Sequence, residues 1–328
     1  MIIITILIAL LVFLIVILVH EFGHFAVAKL VGIKVNEFAV GMGPKLFQKQ
    51  KGETLYTFRI LPVGGYCAME GEDEESNDPR SFVNAKWYNK IFVLIAGASM
   101  NFFLALILLI GVGFFVGQPN TTIKDFTDSS TAKLSGLEIG DKIIKVNSVN
   151  IKKWEDISNE ISKADDIFNI TVDRDGEIIS YSVEKKDNKI GIYPDNDKTL
   201  GSAISYGLSS FAMVFNEMIK FLKMVFTGGI SLKDVSGPVG IVSTIGDAAK
   251  IGFGYLIMLA AFININVGFF NLLPIPALDG SKVLVTILEK IRGKRFNQNV
   301  LGYINLAGFA FLILLIIVVT LKDIGIIK

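Results

Sequence analysis

Residues 2–25 read IIITILIALLVFLIVILVHEFGHF. The first part, residues 2–19, carries no charge, and it ends in two histidines that bracket a glutamate. Eighteen helical residues rise about 27 Å, close to the roughly 30 Å thickness of a bilayer's hydrocarbon core. The run is therefore long enough to cross a membrane and to deliver His20, Glu21 and His24 near its far side. Polar groups at that depth are costly and mark function. The run has no basic leading region and no small-residue cleavage site, and its apolar character resumes over residues 25–31. It reads as a retained helix rather than a removable signal.

Working outward, three more apolar blocks are long enough to span: residues 91–116, 255–278 and 303–321. The chain has 328 residues, 52 % of them hydrophobic, with net charge +1 and a mean hydropathy of +0.55. That composition is too apolar for an ordinary soluble protein. A near-zero charge and the lack of basic clusters exclude an electrostatic nucleic-acid binder. Between the second and third blocks lies a polar stretch with turn signals, expected to be one soluble domain over residues 117–198. Residues 277–302 carry Lys282, Lys290, Arg292, Lys294 and Arg295, which assigns that loop to the cytoplasm by the positive-inside rule. Four spans then put the loop 29–90 inside as well, with both termini and the soluble domain outside. Residues 202–226 mix apolar positions with Asn216, Glu217, Lys220 and Lys223, so this stretch is expected to lie in the interface plane rather than to cross. The expected organisation is a membrane core over 1–116 with a cytoplasmic β-loop at 35–70, the soluble domain, an interfacial amphipathic segment over 199–253, and a second membrane part over 254–328.

On a helix, residues four apart share a face, so His20 and His24 can aim ring nitrogens at one ion. Glu21 follows the first of them, where its carboxylate can serve as general base without ligating; this is the H-E-x-x-H arrangement of zinc peptidases. Zinc lowers the pKa of bound water to about 7, within reach of a neighbouring carboxylate. A catalytic zinc needs a third protein ligand. With two histidines and one cysteine in the chain, that ligand is a carboxylate or Cys67. The leading candidate is Asp279, in GFFNLLPIPALDG (268–280), at the same cytoplasmic depth as His20. Pro274 and Pro276 interrupt a regular helix there, and the carbonyls they free need partners. Asn271 stands beside that break as a candidate contact for substrate backbone.

HEFGH (20–24) and NLLPIPALDG (271–280), in that order, resemble the site-2 protease family of intramembrane zinc metalloproteases, in its bacterial branch of regulator-of-sigma-E type. FAVGMGPKLF (38–47), LPVGGYCAMEGE (61–72), AGASMN (96–101) and SGPVGI (236–241) extend the resemblance over nearly the whole chain. Ala98 and Ser281 stand where the family usually has Pro and Gly. The resemblance implies His20, His24 and Asp279 as ligands of Zn2+ and Glu21 as general base. It also implies Asn271, with Pro274 and Pro276, as substrate-binding. SGLEIGDKIIKVNSVNI (135–151) resembles part of a PDZ domain, a module that binds extended peptides by strand addition.

Strand signals over 35–47 and 54–69 predict a β-hairpin in the cytoplasmic loop. The family has a membrane-re-entrant β-loop there. A free strand edge would hold an unwound substrate whose helix otherwise keeps its carbonyls bonded internally. The fold class expected is thus a polytopic α-helical membrane protein with four transmembrane helices, a re-entrant β-hairpin loop and one extracytoplasmic PDZ-like α+β domain. The partners expected are the lipid bilayer and single-span transmembrane substrates already trimmed by another protease, such as anti-sigma factors or signal-peptide remnants. Two alternatives stand beside this: a membrane-anchored zinc peptidase with a cytosolic site and Glu37 as third ligand, and a non-catalytic scaffold displaying a PDZ-like domain.

Overall fold

The computed structural model describes residues 2–72, 74–229 and 235–327, so residues 230–234 of the expected interfacial segment lie outside the described residues. The chain divides into two compact units, Met1–Leu109 with Gly207–Lys328, and Ile110–Tyr206.

The first unit opens with helix α1 (Ile2–Leu30), which runs unbroken through HEFGH. It stops where Gly32 adopts φ +83° and the Ile33 N–H returns to the Ala28 carbonyl, a glycine-dependent helix ending. Strands β1 (Val35–Lys51) and β2 (Thr54–Met69) form the expected hairpin. Its register is folded back on itself. Residues 37–40 pair on one side with 55–58 and on the other with 65–68. Among the described residues, 65–68 pair with 37–40 alone, which leaves a free edge. Met42, Leu46, Phe47, Phe58, Ile60 and Leu61 are all exposed along the hairpin. Helix α2 (Trp87–Val116) follows. Buried Ala28, Val35, Phe38, Cys67, Val93 and Leu94 join the end of α1, the hairpin and the start of α2 in one cluster.

The second unit holds β3 (Gln118–Phe126), α3 (Thr131–Leu134), β4 (Lys142–Val146), β5 (Val149–Asn150), α4 (Trp154–Lys163), β6 (Ile167–Arg174), β7 (Glu177–Glu184) and β8 (Ile192–Asp197). The strands form one sheet in the order β7-β6-β4-β3-β8, with β5 paired to β4. Ile143, Val146, Ile157, Phe168, Ile170 and Val172 fill its core. The imperfect alternation of residues 143–149 has a local cause. Asn147 turns at φ +50°, and Val149 emerges on two-residue β5 with 44 % of its surface exposed.

One ion pair inside this unit gives a pH prediction. Asp141 is buried, its side chain 1 % exposed, and meets Arg174 Nε at 2.6 Å and Nη2 at 2.8 Å. The Glu138 backbone N–H also donates to it, at 2.9 Å. Burial alone would raise the Asp141 pKa, but the guanidinium and the N–H outweigh burial and hold it below the ordinary value. A depressed folded-state pKa contributes stability above the unfolded value, about 3.9, and that contribution is lost as pH falls through the folded one. Asp141→Asn is expected to destabilise β4 and β6 by about 3 kcal/mol at neutral pH. The difference from wild type should shrink below about pH 4, as read by hydrogen exchange of those strands in the full-length protein.

Returning to the first unit, helix α5 (Leu200–Thr227) sets Phe211, Val214 and Phe215 against Phe102, Ala105 and Leu109 of α2. Helix α6 (Pro238–Ile251) packs Ile245 with Ala9 and Val16 of α1. Helix α7 (Phe253–Asn271) ends at Asn271, although the apolar block runs on to residue 278. Pro274 and Pro276 account for the early stop, since neither can donate a helical N–H. Helix α8 (Asp279–Arg292) then begins at Asp279 itself, and helix α9 (Gln298–Asp323) closes the chain. Among the described residues α1, α2, α7 and α9 are the four helices long and apolar enough to cross a membrane. The apolar window of α2 is 44 % buried against 11 % for those of α1 and α9, so α2 is the central span.

Candidate metal centre

His20 and His24 occupy one face of α1, as their spacing requires. The helix break at Pro274 and Pro276 turns the chain so that Asp279, first residue of α8, faces them. Gly280 makes that turn possible, because a Cβ there would overlap the Leu272 and Leu273 carbonyl oxygens. Three donor atoms converge. His20 Nε2 lies 3.0 Å from Asp279 Oδ2, His24 Nε2 lies 3.2 Å from the same oxygen, and the two Nε2 atoms are 3.1 Å apart. Donors at zinc distances of about 2.0–2.1 Å in a tetrahedron stand about 3.3 Å from one another. The triangle is thus of the size and composition that a His2Asp zinc site needs, with both imidazoles buried.

The surroundings fit the same ion. His24 Nδ1 is 2.8 Å from the Val93 carbonyl; donating that proton leaves Nε2 with a lone pair for metal. Asn101, fully buried on α2, stands with its amide 3.3 Å from His20 Nδ1. Its Oδ1 is an orphaned buried acceptor when Nδ2 faces the ring. Turning the amide over lets Oδ1 accept from Nδ1–H, which frees His20 Nε2 for the cation. Gly97, one turn before Asn101 on α2, supplies the space. A Cβ there would overlap His24 Nε2 and stand 2.7 Å from His20 Nε2.

The cavity around this triangle has a volume of about 820 Å³ and is lined by His20, Glu21, His24, Asn271 and Asp279. Tyr66, Cys67, Ala68 and Met69, from the free-edged part of β2, line it too. Glu21 lies against that strand, 3.8 Å from where a Cβ on Gly65 would sit. Pro274 and Pro276 are not among the lining residues; Pro276 packs on α9, where a Cβ on Gly308 would overlap it. Cys67 lines the cavity as a buried free thiol outside the donor triangle. Glu37, the alternative ligand, is engaged on β1 by Arg59 Nη2 at 3.1 Å.

Residues 8–315 match peptidase family M50. The chain belongs to peptidase family M50. It is 41 % identical over 329 residues to a Clostridium acetobutylicum protein, covering 98 % of this chain and 97 % of that one. A Clostridium perfringens protein is 38 % identical over 326 residues, at 96 % and 97 % coverage. One from Fusobacterium nucleatum is 33 % identical over 335 residues, at 98 % of both. All three are provisionally named as zinc metalloproteases. This M50 peptidase is a multi-pass membrane zinc metalloprotease, a hydrolase, and the donor set described above suits its metal.

Gly97 and Asn101 contact the two imidazoles, and residue-by-residue reading of the sequence does not single them out. They belong to AGASMN, whose resemblance was evident but whose role was not. The available signal was their i, i+4 spacing on an apolar helix, the same spacing that groups His20 with His24. Asn101→Leu is expected to weaken zinc binding about 10–100-fold, measured by competition with a chelator. Asn101→Asp should restore it, since a carboxylate can accept from Nδ1–H.

Proposed function

We propose that this M50 peptidase is an intramembrane endopeptidase that cuts transmembrane segments of single-span proteins in regulated intramembrane proteolysis. The observation that carries the reading is the meeting of the His20–His24–Asp279 triangle, Glu21 and the free edge of β2 in one cavity. His20, His24 and Asp279 hold the zinc. Bound zinc supplies Lewis acidity for the scissile carbonyl and for the attacking water. Glu21 takes the proton from that water on a carboxylate oxygen and passes it to the leaving amine.

The substrate must first be unwound, because a helix keeps its carbonyls bonded internally. Residues 65–68 offer an unpaired edge beside Glu21 to which an extended segment adds as a strand. Asn271, at the end of α7, holds its backbone from the other wall. The exposed apolar side chains along the hairpin suit a loop that re-enters the bilayer. The basic residues after Asp279 support a cytoplasmic position for this end of the bundle, with residues 117–198 as a PDZ-like domain outside. In that arrangement the domain and the 199–253 segment admit substrates whose ectodomain another protease has trimmed.

Parallel Asp279→Ala and Glu37→Ala variants test the reading. Asp279→Ala is expected to lose bound zinc and all cleavage of a single-span reporter in reconstituted vesicles. Glu37→Ala should keep its zinc. The reverse pattern of zinc loss would reassign the third ligand and move the active site to the cytosolic loop.

A further inference from the structure

A second cavity, of about 350 Å³, opens where the starts of α2 and α9 meet α8, at one end of two membrane spans. Its wall includes Lys90 and Arg295. Lys90 is 91 % buried, being 9 % exposed. Among the described residues its ammonium has no hydrogen-bond or ion-pair partner within 4 Å; it stands over the face of Phe82, 5.7 Å away, with Glu289 and Arg295 interacting at longer range. The side chain as a whole is buried while its ammonium reaches the cavity, where an anion can pair with it.

Two carboxylates line the same wall, and neither lies within ion-pair distance of Lys90. Glu72 pairs with Lys282 at 2.7 Å, and Glu289 accepts the Phe296 backbone N–H at 2.9 Å. Arg295 Nη2 donates to the Val83 carbonyl at 2.8 Å, which fixes the guanidinium in place and leaves further N–H groups free to donate. With Glu72 set against Lys282, the remaining charges are Lys90 and Arg295 against Glu289, a surplus of one positive charge. Gln298 and Asn305 add amides to the same wall, and Leu301 and Ile304 add an apolar side.

We propose that this cavity binds a phosphate anion, carried as the head of an anionic phospholipid. Lys90 and Arg295 donate to the phosphate oxygens, and an acyl chain lies along Leu301 and Ile304. The position favours a lipid source: Trp87 and Tyr88, 43 % and 41 % exposed, mark the start of α2 as a membrane–water interface. Basic pockets between spans at that level take anionic headgroups.

Full-length protein offered equal amounts of phosphatidylglycerol and phosphatidylcholine is expected to retain one phosphatidylglycerol, preferred about tenfold, in native mass spectrometry. Lys90→Gln should remove the preference and Lys90→Arg should keep it. Gln298→Glu, at the half-buried rim, repels the anion and serves if Lys90→Gln fails to fold; unchanged zinc content certifies each variant. Inorganic phosphate, followed by thermal unfolding, separates the sources. A Lys90-dependent stabilisation by phosphate without lipid preference would establish the site as one for a soluble anion. Equal retention of both lipids with no Lys90-dependent phosphate effect overturns the proposal. So does a preference that survives both Lys90→Gln and Gln298→Glu.

Discussion

Glu21→Gln is expected to lower cleavage of a transmembrane reporter by a factor of about 10²–10⁴, the usual contribution of a general base, while bound zinc stays at the wild-type level. The two readouts separate because of where the side chain sits. Glu21 lines the cavity, but the donor triangle is made by His20, His24 and Asp279 alone. An amide matches the carboxylate in shape and fills the same space against β2, so the cavity keeps its form. What it loses is the capacity to take a proton from water and return it to the leaving amine. The outcome also decides whether Glu21 is the group that handles the proton, because the donor triangle places no demand on it. Cleavage that persisted in Glu21→Gln at wild-type rate would remove the catalytic role of this residue. Loss of zinc and cleavage together would instead make Glu21 part of the metal site.

Much of this centre was legible in the sequence for reasons of periodicity. His20 and His24 announce themselves because a helix fixes the separation of i and i+4 residues whatever else the chain does. Asp279 was harder. It lies 259 positions from His20, and only the matching depth of two apolar blocks connected them. Depth pointed to a residue that the structure brings beside both imidazoles, but in a different local setting. The residue begins α8 rather than ending the third span, because hydropathy continues through Leu272, Leu273, Ile275 and Leu278 while the two prolines have already ended the helix. The fold-back of the hairpin was not legible at all. Strand signals locate residues 35–47 and 54–69, but which edge stays unpaired depends on a register set by contacts between segments. Gly97 and Asn101 were hidden for a related reason. Glycine in an apolar helix signals close approach without saying to what.

Gly97→Ala should then give the largest loss of metal from the smallest change in the chain. The added methyl group would overlap His24 Nε2 and come within 2.7 Å of His20 Nε2 and Cε1. These are the edges of both rings that face Asp279, so the methyl would occupy space that a cation held by the triangle needs. The rings have little room to retreat, since His24 is held at the Val93 carbonyl and His20 at Asn101. Zinc affinity is expected to fall on the order of 100-fold or more, beyond the effect of losing one supporting hydrogen bond. Helix propensity works in the opposite sense, because alanine favours a helix over glycine by about 1 kcal/mol. That gain offsets only part of the roughly 1–3 kcal/mol that overpacking against the two rings costs. The metal-free variant should therefore fold but unfold more readily than wild type, and zinc binding is compared on the folded protein. Gly111→Ala supplies the control on the same helix. No atom lies within 4 Å of a Cβ at that position, so it should gain the helical term and keep its zinc. If Gly97→Ala bound zinc as tightly as Gly111→Ala, the two imidazoles would not be packed against α2 as described, and the metal would have to lie on another face of α1.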